Sequence, residues 1–267
     1  MKRDDTFNDS ENGDQAKETG EELIAGRQAV LEALRSGKPQ RIILAESLKG
    51  AIINEITLLA RQGRVQVVRL SRDEFQEMAG HITGNQGVAA LVSPFEYIDL
   101  DELIALSRSP LRDPFLIMLD HIEDPQNLGA IMRTADAAGV DGIIIPSHRA
   151  VGVTSTVRKV ACGAAERLRV AMVGNLNQAA ETLKREGFWI YGAEGDGEKE
   201  YYLADYKCPL VLVLGSEGKG ISRLLRENCD LTLSIPMPNI VGGSLNVSAA
   251  AAVLIYAVLG QREGWNA

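Results

Sequence analysis

Three short stretches in the second half of the chain carry residues able to hold and activate a polar substrate. In the first, an apolar run, Phe-Leu-Ile-Met-Leu-Asp (115–120), gives way to a helical pattern bearing Asn127, Gly129 and Arg133. Asn127 is expected to cap the helix through its side-chain oxygen. Gly129 lets a ligand or another backbone come close. Helical side chains lean toward the N-terminus, so the Arg133 guanidinium can reach the same rim. The plain alternative is a cap plus an Arg133–Asp136 ion pair. The second stretch, Leu214-Gly215-Ser216-Glu217-Gly218-Lys219-Gly220, follows an apolar strand but matches neither the dinucleotide fingerprint nor the P-loop. Glu217 would repel phosphate; it suits a cation such as Arg133, hydroxyls or exposed amides. In the third, a strand ends at Ile235-Pro236-Met237, and Ser244 and Asn246 stand at the start of an alanine-rich helix, with Ser244 as its simplest N-cap.

These stretches need a frame that brings strand ends together. From Leu23 the chain alternates helices and strands: a helix closed by Gly37, strands over 41–46, 65–70 and 87–93, a second helix ending at Gly63, and a capping box at Ser71 and Glu74. This is a compact α/β module spanning 22–96. Residues 97–113 read as a linker with a short helix. From 114 to 267, apolar strands alternate with helices, including one helix across 154–168, which indicates a parallel sheet covered on both faces. Ligands bind such sheets at the carboxyl ends of strands, where all three stretches fall.

Net charge is −8 and mean hydropathy −0.04. Seven acids against three bases in 1–21 make an acidic tail that reads as disordered. Residues 22–97 carry nine bases against eight acids, so bulk charge decides little. Cys162, Cys208 and Cys229 lack metal spacing, which argues against a zinc site or disulfide frame; they read as reduced, mostly buried thiols of a cytoplasmic protein. The longest apolar run, 247–260, is shorter than the ~18 residues that span a bilayer. Gly192, Gly195 and Gly197 in Tyr-Gly-Ala-Glu-Gly-Asp-Gly run in the wrong order for a dinucleotide-binding oxidoreductase.

Taken together, N-x-G-x-x-x-R, then G-S-E-G, then I-P-M…S-L-N-V-S resemble the SpoU-type (TrmH-like) RNA ribose 2′-O-methyltransferases of the SPOUT superfamily. Lys-Val-Ala-Cys-Gly-Ala-Ala-Glu (159–166) and the 23–95 module further resemble the subgroup acting on a guanosine in the peptidyl-transferase region of 23S rRNA. Asn85-Gln86-Gly87 stands where relatives would carry His-Gln-Gly. The resemblance implies a C-terminal domain with a deep trefoil knot, an L30e-like substrate-binding module before it, and a homodimer that completes each active site.

It also implies S-adenosylmethionine held by Leu214, Gly215, Ser216, Glu217, Gly218, Ile235, Pro236, Met237, Leu245, Asn246 and Ser248. Arg133 would be catalytic, with Asn127, Glu217, Ser244 and Asn246 shaping its pocket. A guanidinium with a pKa above ~12 is a poor base, so Arg133 is better placed to grip an RNA phosphate and steady the developing alkoxide. Arg27, Arg41, Arg149, Arg158 and Lys159 are candidates for neutralising phosphates; a solvated charged face is the alternative for each. A tRNA ribose target, or a non-catalytic RNA-binding protein of the same fold, are the competing readings.

Overall fold

The computed structural model describes residues 22–35, 39–46, 48–82, 84–238 and 244–265. The acidic segment 1–21, Gly37 and the glycine-bearing stretch 239–243 lie outside the described residues. Two compact units divide the chain, Met1–Phe95 and Glu96–Ala267.

In the first unit, strands β1 (Glu22–Ala25), β2 (Pro39–Ala45), β3 (Gln66–Leu70) and β4 (Val88–Val92) form one sheet in the order β1-β4-β2-β3. β4 runs antiparallel to both neighbours, while β2 and β3 are parallel. Side chains alternate across a strand. Ile42 and Leu44 of β2 therefore join one apolar cluster, with helices α1 (Arg27–Arg35) and α2 (Ala51–Gln62). Ile43 and Ala45 join the other, under α3 (Arg72–Ala79). The capping box at Ser71 and Glu74 forms as the sequence indicated. Asn85 is spent on local structure: its amide donates to the carbonyls of Ala79 and Ile82, both at 3.1 Å, and its oxygen accepts the Gly87 N–H.

The second unit is a seven-stranded sheet built of β5 (Phe115–Leu119), β6 (Gly142–Pro146), β7 (Val170–Val173), β8 (Trp189–Ala193), β9 (Lys199–Glu200), β10 (Leu210–Leu214) and β11 (Leu231–Ser234). Every pairing is parallel and the order is β7-β6-β5-β10-β8-β11-β9. β5, β6 and β10 are buried along their whole length, which is why they read as unbroken apolar runs. From β5 the chain first builds outward through β6 and β7 and later returns to place β10 on the other side. The carboxyl ends of β5 and β10 therefore meet at a topological switch point, where open α/β sheets bind ligands.

Helix α4 (Leu100–Ser107) lies within the 97–113 segment. Its Leu103 and Ile104 are buried in the sheet's core cluster, and the Ile98 N–H donates to Val170 O at 3.1 Å. Around the switch point stand α5 (Pro125–Ala137), α6 (Ser155–Ala161) and α9 (Val247–Arg262); α7 (Leu176–Arg185) and the short α8 (Arg223–Glu227) complete the unit. Arg262 fastens the far end of α9 by donating to Tyr206 O (2.9 Å), Asp113 O (2.7 Å) and Cys208 O (2.6 Å).

Two expectations are corrected here. The single helix across 154–168 is broken: Cys162 (φ 50°) and Gly163 (φ 87°) both enter the left-handed region, and a 3-10 turn, Ala164–Glu166, follows. The expectation of mostly buried cysteines is not met either, since Cys208 and Cys229 are only half-buried. Cys162 is exposed, whereas burial pushes the Cys229 thiol up to about 12.

Gly129 is buried, and its role is packing. A Cβ built there would lie 2.6 Å from Val160 Cβ and 3.0 Å from Val157 O, so its bare backbone is what lets α5 press against α6. Gly129→Ala should therefore cost about 1–3 kcal/mol, as overpacking does, despite alanine's better helix propensity. Urea unfolding checks this, and adding Val160→Ala should return part of the loss.

Candidate functional site

The loop after β10 has little regular structure and is held by carboxylates from elsewhere. Ser216 and Gly220 exchange backbone bonds of 3.1 and 2.9 Å, closing a tight turn. A Cβ at Gly215 would fall 2.0 Å from Gly220 C, so glycine is required there. Beyond the turn, the Ile221 N–H donates to Glu194 Oε1 (2.8 Å) at the end of β8. The Ser222 N–H donates to Asp120 Oδ2 (2.7 Å) at the end of β5. Asp120 is 1% exposed and its other oxygen meets His121 Nδ1. A free N–H in such a loop would be costly once shielded from water; the acidic residues at neighbouring strand ends remove that cost.

Glu217, at the tip of the turn, draws the other two stretches together. Its Oε1 accepts from Asn127 Nδ2 (2.9 Å), Asn246 Nδ2 (2.5 Å) and Val247 N (3.4 Å). Asn246 Nδ2 also reaches Asn127 Oδ1 at 2.9 Å. The carboxylate thus stands before the first turns of both α5 and α9, where helix dipoles favour negative charge. Of the options the sequence left for Glu217, amides are the ones realised.

The capping assignments change accordingly. Asp124, with Pro125 at the first helical position, caps α5, leaving Asn127 free to face Glu217. Asn246, not Ser244, caps α9: its oxygen accepts from Ser248 N (2.9 Å), Ser248 Oγ (2.5 Å) and Ala249 N (3.4 Å). The Arg133–Asp136 pair is replaced by a two-toothed Arg167–Asp136 pair, with contacts down to 2.6 Å. Arg133 is exposed and reaches Cys162 Sγ at 3.8 Å.

Two clefts adjoin at this loop. The first, about 460 Å³, is lined by the Leu214–Gly220 loop, by Glu194, and by apolar groups including Leu233, Ile235, Met237, Leu245, Val247 and Ala250, with Ser244 at its edge. The second, about 640 Å³, is lined by His121, Asp124, Asn127, Arg149 and Ser222 among others. Ser216, Glu217, Lys219, Gly220 and Val247 face both. Pro236, Asn246 and Ser248 line neither cleft; Asn246 and Ser248 instead build the wall through the α9 cap. Glu194, Leu233, Val247 and Ala250 were missed as lining residues, and only the strand-end position of Glu194 hinted at it.

Among the charged candidates, Arg149 lies in the second cleft and Arg41 is exposed in the first unit, while Arg27 and Lys159 are half-buried. Arg158 is 4% exposed, with Nε 3.8 Å from Glu166 Oε1. It is thus a buried ion-pair member and not a solvent-facing phosphate ligand.

A parallel sheet with twin clefts at its switch point belongs to the ligand-binding α/β enzymes. Residues 114–256 match the SpoU rRNA Methylase family, and residues 23–98 match the RNA 2′-O ribose methyltransferase substrate-binding family. A Staphylococcus saprophyticus protein named for the TrmH family of tRNA/rRNA methyltransferases is 42% identical over 90% of this chain and 96% of its own. A Bacillus subtilis protein, YacO, named for the same family, is 41% identical over 91% and 96%. In structure, the SpoU methyltransferase AviRb of Streptomyces viridochromogenes, solved with AdoMet, has a TM-score of 0.78 at 25% identity, covering 95% of this chain and 94% of AviRb. The A. aeolicus TrmH/SpoU tRNA-modifying enzyme has a TM-score of 0.52 at 26% identity, covering 62% and 83%. The chain belongs to the SpoU methylase family; it is an RNA methyltransferase of the TrmH/SpoU kind, whose methyl donor is S-adenosylmethionine.

The Asn246 side chain does two separable things. Asn246→Ala should lose the cap, about 1 kcal/mol, and also its link to Glu217. Asn246→Asp keeps the capping oxygen but sets a second carboxylate against Glu217. At neutral pH that repulsion should leave it less stable than the alanine variant, even though it keeps the cap. Chemical unfolding of the three proteins at neutral pH measures both effects.

Proposed function

We propose that this protein transfers a methyl group to the ribose 2′-hydroxyl of a guanosine in the peptidyl-transferase region of 23S rRNA, working as a cytoplasmic homodimer. The observation that carries the reading is the shared wall of the two clefts. One has the apolar surface and glycine backbone that suit an adenosyl group; the other sets Arg149 and Lys219 beside Asn127 and the carboxylates of Glu123, Asp124 and Glu217, a mix that suits a ribose hydroxyl next to its phosphate. The donor fits the first: Leu214, Ile235, Met237 and Leu245 offer apolar contact, and the bare backbone of Gly215 and Gly218 allows close approach.

S-adenosylmethionine supplies an electrophilic sulfonium methyl, so the protein's task is chiefly alignment. Asn127, locked by Glu217 and Asn246, fixes the edge of the second cleft, and Arg149 and Lys219 neutralise phosphate there. Arg133 lines neither cleft in a single chain. Its exposure supports a dimer in which a second copy lends this guanidinium to the site, gripping phosphate and steadying the alkoxide. The trefoil knot belongs to the same reading. In its support, the last helix starts wedged between the β10 loop and α5, segments that precede it by 29 and 119 residues.

We assign the 22–96 module, an L30e-like domain in this reading, to recognition of folded RNA. Its match to a substrate-binding family supports that role.

The decisive experiment is transfer from labelled S-adenosylmethionine to unmodified rRNA and tRNA, followed by mapping of alkali-resistant linkages. A single resistant guanosine in large-subunit rRNA is expected. Label on tRNA alone would discard the substrate, and cofactor binding without transfer to RNA or ribosomal precursors would leave a binding protein. Arg133→Ala should lower transfer by about 100-fold or more, the usual cost of removing a charge stabiliser, with thermal unfolding and cofactor affinity unchanged.

A further inference from the structure

Glu194 differs from the other carboxylates that hold the glycine loop. Asp120 is buried, with one oxygen on the Ser222 N–H and the other against His121, so its capacity is spent. Glu217 is engaged by two amides and a backbone N–H. Among the described residues, Glu194 has one side-chain partner, the Ile221 N–H at 2.8 Å, yet it lines the first cleft. Its backbone is fixed to β11 by a 2.9 Å bond to Leu233 O. The carboxylate lies over Gly220, where an added Cβ would come within 2.8 Å of Oε2. This is a half-used acceptor with no donating capacity, held rigidly at a strand end beside the apolar floor of the cleft.

An adenosyl group offers one pair of adjacent hydroxyl donors, the ribose 2′ and 3′ positions. We infer that Glu194 receives that diol through its unspent acceptor sites and is the residue by which the cleft recognises the ribose of its cofactor. The inference rests on placing the cofactor in this cleft. The chemistry is what an ionised carboxylate does best: charge-assisted acceptance from two neighbouring O–H groups. The Ile221 bond keeps the carboxylate from following the ligand, so the alignment is built before binding. It also couples recognition to the loop, since one side chain holds both.

The test is calorimetric titration of the full chain with S-adenosylhomocysteine and with its 2′-deoxyadenosyl counterpart. The wild type should prefer the ribose form by about tenfold or more, as for a hydrogen bond to a charged group. Glu194→Ala should bind both alike, and more weakly than the wild type binds the deoxy ligand, which still offers its 3′ hydroxyl to the carboxylate. Glu194→Gln, which keeps an acceptor for Ile221, controls for loop integrity through its thermal unfolding. A Glu194→Ala protein that weakens both ligands equally and keeps the preference would overturn the inference, leaving Glu194 as a loop anchor. Absence of a preference in the wild type would also overturn it. So would a Glu194→Gln effect confined to S-adenosylmethionine, because that would mark a response to charge. Ala250→Trp, filling the cleft from α9, separates the two layers. If it leaves binding intact, the cofactor lies elsewhere and the cleft assignment fails along with the inference; if it blocks binding, the ratio alone decides.

Discussion

An unpaired backbone N–H beside a ligand cleft is expensive, and the loop after β10 avoids two such groups by borrowing acceptors. Its shape depends on carboxylates supplied from other strand ends: Asp120 from β5 and Glu194 from β8. Glu217 then acts outward from the loop, holding the first turns of α5 and α9 through Asn127 and Asn246. Without the carboxylates the loop would rest chiefly on its Ser216–Gly220 backbone pair, with glycines that resist ordering more than other residues do. The site is therefore held by acids in a place where a phosphate-binding loop would carry bases. That fits a donor whose reactive centre is a cation.

Burial and charge divide the work. The sheet beneath the site is buried along β5, β6 and β10 and provides rigid strand ends. The polar groups stand only where strands stop. α5 approaches α6 closely because Gly129 has no side chain, and α9 closes over α5 with its far end tied down by Arg262. Each of these two helices is thus fixed by contacts that lie outside the clefts.

Much of this could be read from residue order. Unbroken apolar runs marked the buried strands, and the three motif stretches fell at strand ends that the fold does bring together. What escaped had local competitors. Asp124, Asn127, Ser244 and Asn246 are all good N-caps by type, and only the three-dimensional position of Glu217 decides that Asn127 is released from capping while Asn246 caps and donates at once. The break at Cys162 was hidden because a left-handed cysteine has no pattern of its own. Arg158 read as a surface cation because its partner Glu166 lies beyond that break. Glu194 sat within a glycine pattern better known from other cofactors, so its carboxylate drew no notice.

The parallel pairing of β5 with β10 also sets an order of events during synthesis. Phe115 pairs with Leu210, and that partner leaves the ribosome 95 residues later. Until then β5 can pair on one side only, with β6, and its other edge stays open, a long-range closure of the kind that slows folding. Antiparallel neighbours in the first unit, such as β2 and β4, need a far shorter wait. A nascent chain stalled before residue 210 would carry an organised N-terminal unit followed by an apolar strand with one bare edge, a shape that invites chaperones.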